Sequence, residues 1–209
     1  MKKIQAVFFD FDGVLIDSLP VMNKAWELTR DKYNLEPDFK EFAKYIGIPF
    51  NSILKNLGID NKKYSLIHNS YSEVARKNLN LTNLNPYVKN IIDWLKKNKI
   101  KIAIVTSKDF VRTEELIEFF NIKTDLIVTP ESTSKGKPYP EPLLFAAKNL
   151  SLSIEESLFI GDMFSDMKAA QRANCKYLHY LSGYENIKNL SYGGNINSLL
   201  EIKEYINLI

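Results

Sequence analysis

The chain has 209 residues, with 28 Lys and Arg against 25 Asp and Glu, a formal net charge of +3, and 45% hydrophobic content. That balance is ordinary for a soluble globular protein long enough to bury a substantial core, and it excludes the disordered class. Charges of both signs interleave, as where Lys96 and Lys97 stand near Asp93, so solvated helix faces account for them and no nucleic-acid partner is expected.

At the amino end, Lys2 and Lys3 precede a short apolar run that Asp10 interrupts well before a secretory signal or membrane span would be complete, so no membrane partner is expected either. Residues 4–9 are apolar and aromatic apart from Gln5, the pattern of a strand covered on both faces, and Gly13 closes it in a tight turn. Asp10 and Asp12, two residues apart, share a face and both address a point past the strand's carboxyl end. In open α/β sheets ligands sit in that crevice. Read alone, the pair also fits a turn with two solvated carboxylates.

From there to Tyr87 the pattern changes to roughly seventy residues with helical pieces and no convincing strand. Asp17, Ser18 and Pro20 start a helix that Lys24 to Tyr33 continues. Further pieces run from Asp38 to Tyr45, ended by Gly47, from Asn51 to Leu57, ended by Gly58, and from Asn61 to about Leu79. Asn83, Asn85 and Pro86 mark the return. The expectation is an inserted all-helical domain over 17–85, with a core made of 1–16 and 86–209.

Beyond Pro86, strand-like runs at about 100–105, 125–128, 157–161 and 176–180 alternate with helices at 87–98, at 109–120 with Asp109 as N-cap, and from Pro140 to Leu150. Such alternation predicts an α/β fold, a Rossmann-like parallel sheet. Thr106 and Ser107 follow the second strand, Lys137 stands in a Gly- and Pro-rich loop, and Gly161-Asp162-Met163-Phe164-Ser165-Asp166 follows a third apolar run.

With Asp10-Phe11-Asp12 first, this ordered set resembles the four motifs of the haloacid dehalogenase-like (HAD) superfamily, in its phosphatase branch near phosphoglycolate phosphatase and β-phosphoglucomutase. The resemblance spans residue 4 to about 175. It implies a small helical cap over the site and a Mg²⁺-dependent phosphatase for a small-molecule phosphate ester. Asp10 would be the nucleophile, already anionic at neutral pH and in need only of relief from repulsion. Asp12 would be the general acid and base, a residue that the metal-free dehalogenases of the superfamily lack. Mg²⁺ would be held by the carboxylates of Asp10 and Asp162 and the backbone carbonyl of Asp12, while Asp166 orients a coordinated water or Lys137. Thr106, the Ser107 backbone and Lys137 would receive the phosphoryl oxygens. Met163 departs from the pattern, since relatives often carry a small hydroxyl residue there.

Mutases of the β-phosphoglucomutase type carry a His in the first cap helix and an Arg three residues after the cap-loop Gly. Asn23 and Phe50 occupy those positions here, so hydrolysis is the leading reading and phosphoryl transfer the alternative. A binding protein on the same fold is the remote alternative, and the retained Asp10, Asp12, Lys137, Asp162 and Asp166 speak against it. Asn23, Tyr45, Phe50, Asn51 and Lys24 are the candidates for specificity. Residues 134–138 lack the spacing of a phosphate loop, with Pro138 where Ser or Thr is required, and no G-x-G-x-x-G, G-x-S-x-G or H-E-x-x-H occurs. His68 reads as cap surface, His179 as strand packing, and the single Cys175 as a buried inert thiol. A lone cysteine allows no intramolecular disulfide, so a reducing cytoplasm is the expected compartment.

Overall fold

The structure, a computed structural model, describes residues 3–181, 183–185 and 187–208. Strand β1 (Ala6–Phe9) is buried at every position, which is why its sequence is a continuous apolar run and not an alternating one. Its side chains nevertheless divide by face. Val7 and Phe9 join one apolar cluster with Ile91 and Leu95, whereas Ala6 and Phe8 join another with Leu143 and Ala170. Helices therefore cover both faces of the sheet, as parallel strands require.

In chain order, the ribbon strand β2 (Ile16–Asp17) leads into helices α1 (Leu19–Tyr33), α2 (Phe39–Ala43), α3 (Phe50–Asn56) and α4 (Tyr64–Lys77), after which β3 (Asn83–Leu84) returns. The rest reads α5 (Val88–Lys97), β4 (Lys101–Val105), α6 (Phe110–Phe120), β5 (Leu126–Val128), α7 (Glu141–Asn149), β6 (Ser157–Gly161), α8 (Phe164–Ala173), β7 (Lys176–Tyr180), β8 (Gly194–Ile196) and α9 (Glu201–Leu208). Six strands form one sheet in the order β5-β4-β1-β6-β7-β8, and every pairing is parallel. Asn34, Asn121 and Asn174 close α1, α6 and α8 in the left-handed conformation, which asparagine tolerates better than other L-residues. Asp109 caps α6 by accepting from the Arg112 N–H.

Two features depart from the sequence reading. The crossings on either side of the helical stretch are not strand-free: Ile16 pairs with Leu84 and Asp17 with Asn83 in a short antiparallel ribbon. Only two residues per strand pair, so the segment has no run long enough to show alternation. The edge strand β8 and helix α9 also escaped the sequence reading, because Gly194-Asn195-Ile196 contains one apolar side chain that packs inward. The helices α1 to α4 pack around their own aromatic cluster of Trp26, Phe42, Ile53, Leu54 and Ile67. Trp26 and Phe42 ring centroids lie 4.6 Å apart, and Phe42 is 5.9 Å from Tyr71. Among the described residues no helix is long and apolar enough to cross a membrane.

Candidate active site

The parallel topology brings three chemistry-bearing segments to one edge. Asp10 follows β1, Thr106 follows β4 and Asp162 follows β6, and these three strands are adjacent in the sheet. β1 ends at Phe9, so Asp10 and Asp12 lie in the turn beyond it. The Asp10 N–H still donates to the Ile160 carbonyl at 2.8 Å. Gly13 turns the chain with φ of +86°, and a Cβ there would fall 2.1 Å from Asp162 Oδ2. Glycine is therefore required on two counts, backbone conformation and the close approach of a carboxylate.

Lys137 arrives from the loop before α7 and is 3% exposed. Its Nζ lies 2.7 Å from Asp10 Oδ1 and 2.7 Å from Asp166 Oδ1. Asp166, in the first turn of α8, folds back so that its Oδ2 accepts from the Asp162 N–H at 3.2 Å and the Met163 N–H at 3.0 Å. A Cβ at position 161 would lie 2.4 Å from Asp166 Cβ, which explains the glycine that precedes Asp162. Asp162 is fully buried. One oxygen accepts from the Tyr184 N–H at 2.6 Å, and the other has no hydrogen-bond partner among the described residues.

Oxygens of Asp10, Asp162 and Asp166 lie within 4.8 Å of one another. Asp10 and Asp166 share the Lys137 ammonium and Asp162 has no ion pair among the described residues, so the cluster is short of positive charge. Burial first, and then the Asp166 carboxylate, push the Asp10 carboxyl from its ordinary 3.8 up to about 7 despite Lys137. Burial and Asp10 raise Asp162 well above the ordinary carboxylate range. Burial opposes the Lys137 charge, but Asp10 and Asp166 outweigh it and raise the ammonium's pKa. A buried carboxylate oxygen left without a donor, among hard oxygen ligands, fits a small divalent cation.

Asp12 is held differently. Its Oδ1 accepts from the Ser18 hydroxyl, and its Oδ2 lies 3.2 Å from Lys108 Nζ. Thr106 Oγ1 accepts from the Lys108 N–H at 3.1 Å. The Ser107 hydroxyl donates to the Gly47 carbonyl at 2.9 Å, as does that of Ser165 at 3.2 Å, so both serines tie the sheet edge to the helical stretch.

A pocket opens between that edge and the helices, lined by Asp10, Asp12, Thr106 and Ser107 on one side and Phe50, Phe42 and Tyr71 on the other. Of the specificity candidates, Phe50 lines it. Asn23 and Lys24 do not, because Met22, Ala25 and Trp26 take the inward face of α1 and leave both exposed. Asn51 is likewise exposed while Ile53 and Leu54 face inward, and Tyr45 packs in the aromatic cluster. Met163 joins that same cluster at 7% exposure, which gives the departure from a hydroxyl residue a packing reason.

Sequence reasoning missed several pocket residues. His68 lies not on open surface but with Nε2 3.5 Å from Asp109 Oδ2 and its ring edge-on to Phe50 at 5.1 Å. Lys108 adjoins Thr106 and Ser107, and that adjacency was the available signal. Arg112 is 5% exposed and lines the pocket, with Nη1 paired to Glu115. An arginine on a helix carries no sequence mark of burial. His179 is buried, its Nδ1 2.9 Å from the Tyr177 hydroxyl and its Nε2 2.8 Å from the Glu185 carbonyl. Cys175 is buried too, and burial pushes its thiol up to about 12.

The family model of haloacid dehalogenase-like hydrolases matches residues 7–180. The chain is similar to the phosphoglycolate phosphatase of Nitrosococcus oceani, at 26% identity over 99% of this chain and 98% of that protein. It is also similar to the pyrophosphatase PpaX of Oceanobacillus iheyensis, at 29% identity over 82% of this chain and 80% of that one. In structure it resembles a hydrolase from Pseudomonas syringae, with a TM-score of 0.87, 25% identity and coverage of 98% and 99%. The family match runs from the first strand to the end of β7 and takes in the whole carboxylate cluster: this chain belongs to the haloacid dehalogenase-like hydrolases.

Proposed function

We propose that the protein is a Mg²⁺-dependent phosphatase that hydrolyses a small phosphorylated metabolite through an aspartyl phosphate on Asp10. The observation that carries this reading is the cluster of three buried carboxylates, two of them paired with Lys137 and the third, Asp162, with one oxygen that has no hydrogen-bond partner among the described residues. The names of the relatives, phosphoglycolate phosphatase and pyrophosphatase, support it. In this reading Asp10 and Asp162 hold Mg²⁺ with the Asp12 carbonyl. When bound, the ion supplies the positive charge that lets Asp10 approach a phosphate dianion.

The remaining roles fall to the chain's own residues. Asp10 attacks phosphorus, the ester P–O bond breaks, and its electron pair leaves on the alkoxide, which takes a proton from Asp12. Asp12 then removes a proton from water as the water attacks phosphorus, and the Asp10–phosphorus bond breaks to release phosphate. Lys137, Thr106 and the Ser107 backbone receive the equatorial oxygens, and Asp166 fixes Lys137. Residues 17–85 act as a cap over the core of 1–16 and 86–209. The Ser107 and Ser165 bonds to Gly47 support that division.

A leaving group that carries its own anion fits the pocket best. Lys108 stands beside Asp12, which protonates the leaving oxygen, so whatever Lys108 meets is attached to the leaving group. Arg112 also lines the pocket, with Nη1 paired to Glu115, which Arg76 Nε meets at 2.6 Å. Phosphate release from 2-phosphoglycolate, pyrophosphate and 4-nitrophenyl phosphate, with Mg²⁺ and with excess EDTA, tests the reading. Release should require the metal. Arg112→Met should raise KM about tenfold for 2-phosphoglycolate and pyrophosphate, whose leaving groups carry an anion, the worth of a charge-assisted hydrogen bond, and leave the aryl ester unchanged. Undiminished release in EDTA would remove the metal from the reaction. Conversion of β-glucose 1-phosphate to glucose 6-phosphate faster than phosphate release, with catalytic glucose 1,6-bisphosphate present, would replace hydrolysis by phosphoryl transfer.

A further inference from the structure

Tyr184 stands outside all four sequence motifs, yet it touches both halves of the site. Its backbone N–H donates to Asp162 Oδ2 at 2.6 Å. At the other end of the side chain, its hydroxyl oxygen accepts from the Ser18 N–H at 2.8 Å and lies 3.0 Å from Ser18 Oγ. Ser18 Oγ in turn donates to Asp12 Oδ1. A serine hydroxyl has one hydrogen, and that hydrogen is committed to Asp12. The Tyr184 hydroxyl hydrogen therefore goes to Ser18 Oγ, and a directed chain runs Tyr184 O–H to Ser18 O–H to Asp12 Oδ1.

The surroundings make Tyr184 a rigid anchor. Gly183 passes so close to Asp162 that a Cβ would sit 2.2 Å from Asp162 Cβ, and the Glu185 carbonyl lies 2.8 Å from His179 Nε2. Glu185 Oε2 accepts from the Phe164 N–H at 2.5 Å, at the start of α8. The tyrosine ring packs against the aromatic cluster of the helical stretch. Its hydroxyl is thus fixed from the sheet side, while Ser18 is the residue from which α1 departs.

We propose that Tyr184 is a positioning residue for proton transfer at Asp12, acting through Ser18; this rests on the phosphatase reading above. With Oδ1 occupied by Ser18, the Asp12 carboxyl cannot turn freely, and Oδ2 is the oxygen presented to the pocket beside Lys108. The proton given to the leaving oxygen is then carried on Oδ2. When the P–O bond breaks, that proton passes from Oδ2 to the leaving oxygen, and Oδ2 takes one back from the attacking water. Loss of the Tyr184 hydroxyl releases Ser18 and lets the carboxyl rotate away from this line.

Tyr184→Phe separates this role from support of the metal, because the ring and the backbone N–H to Asp162 both remain. The readout is kcat/KM for phenyl phosphate and 4-nitrophenyl phosphate, the second of which departs as a stable anion with little need of a proton. The variant should lose about tenfold on phenyl phosphate, a fraction of what general acid assistance contributes, and less than about twofold on the nitrophenyl ester. Ser18→Ala should give the same unequal loss. The Mg²⁺ concentration for half-maximal activity should stay unchanged in Tyr184→Phe. Equal losses on the two esters, or a shifted Mg²⁺ requirement, would overturn the proposal. If the wild-type protein released no phosphate from either ester, the phosphatase reading itself would fall, and the unequal loss is a separate result.

Discussion

The two sides of the pocket are built on different principles. On the sheet side, Asp10, Asp162, Asp166 and Lys137 are at most 3% exposed and locked together by 2.7 Å ion pairs and backbone N–H bonds. On the helical side, the wall is made of rings, Phe42, Phe50 and Tyr71, whose contacts are apolar and whose polar visitor His68 is a third exposed. In the first arrangement the Lys137 ammonium is the partner of both Asp10 and Asp166, so removing any one of the three leaves buried charge uncompensated. The second tolerates change wherever volume is kept. The strand ends are thus held together by electrostatics, and the facing ring wall by packing.

Breaking the sheet side should have the largest effect. Lys137→Met leaves Asp10 and Asp166 buried without their cation and should destabilise the metal-free protein by about 3–5 kcal/mol, the usual result of removing one partner from a buried pair. Chemical denaturation in EDTA checks this, and a loss under about 1 kcal/mol would mean that the carboxylates relax to water without help.

The same charge imbalance sets a pH dependence. The Asp10 carboxyl is raised from 3.8 to about 7, so the folded state holds this proton more tightly than the unfolded chain does. Its contribution to stability is fully present below about pH 4 and is lost as pH rises towards 7; Asp162, also raised, acts in the same direction. The melting temperature in EDTA should therefore fall across this window, and Mg²⁺ should restore more of it at pH 8 than at pH 5. A flat profile would show that the site carries no excess negative charge.

How much of this was legible beforehand follows the same division. The sheet-side residues announce themselves because carboxylates at the ends of buried strands are costly unless used, and residues 4–12 and 157–162 show that pattern without any knowledge of contacts. Even there the ribbon of Ile16–Asp17 with Asn83–Leu84 was invisible, since two paired residues leave no period. On the helical side the phase of α1 decided what faces the pocket. Asn23 and Lys24 look as polar as any ligand, and only the inward packing of Met22 and Trp26 turns them outward. Tyr184 depends on a tertiary contact with Ser18 that no local pattern records, and the i,i+3 spacing of Arg112 and Glu115 gives no sign that Arg112 is buried.

The smallest effect should come from the ring wall. Phe50→Leu keeps an apolar side chain beside His68 and Tyr71, so it should change KM by no more than about threefold and kcat by less than about twofold. Steady-state kinetics on the three phosphate substrates reads this. A collapse of kcat would place Phe50 among the groups that do chemistry and dissolve the contrast between the two walls.

The central claim is that Asp10 carries the phosphoryl group. Rapid acid quench during turnover of a ³²P-labelled phosphate ester, followed by peptide mapping, measures it directly. The label should fall on the peptide that contains Asp10, should be released by hydroxylamine as acyl phosphates are, and should be absent from Asp10→Asn. Label on Ser107 or Cys175, or turnover that persists in Asp10→Asn, would contradict the account.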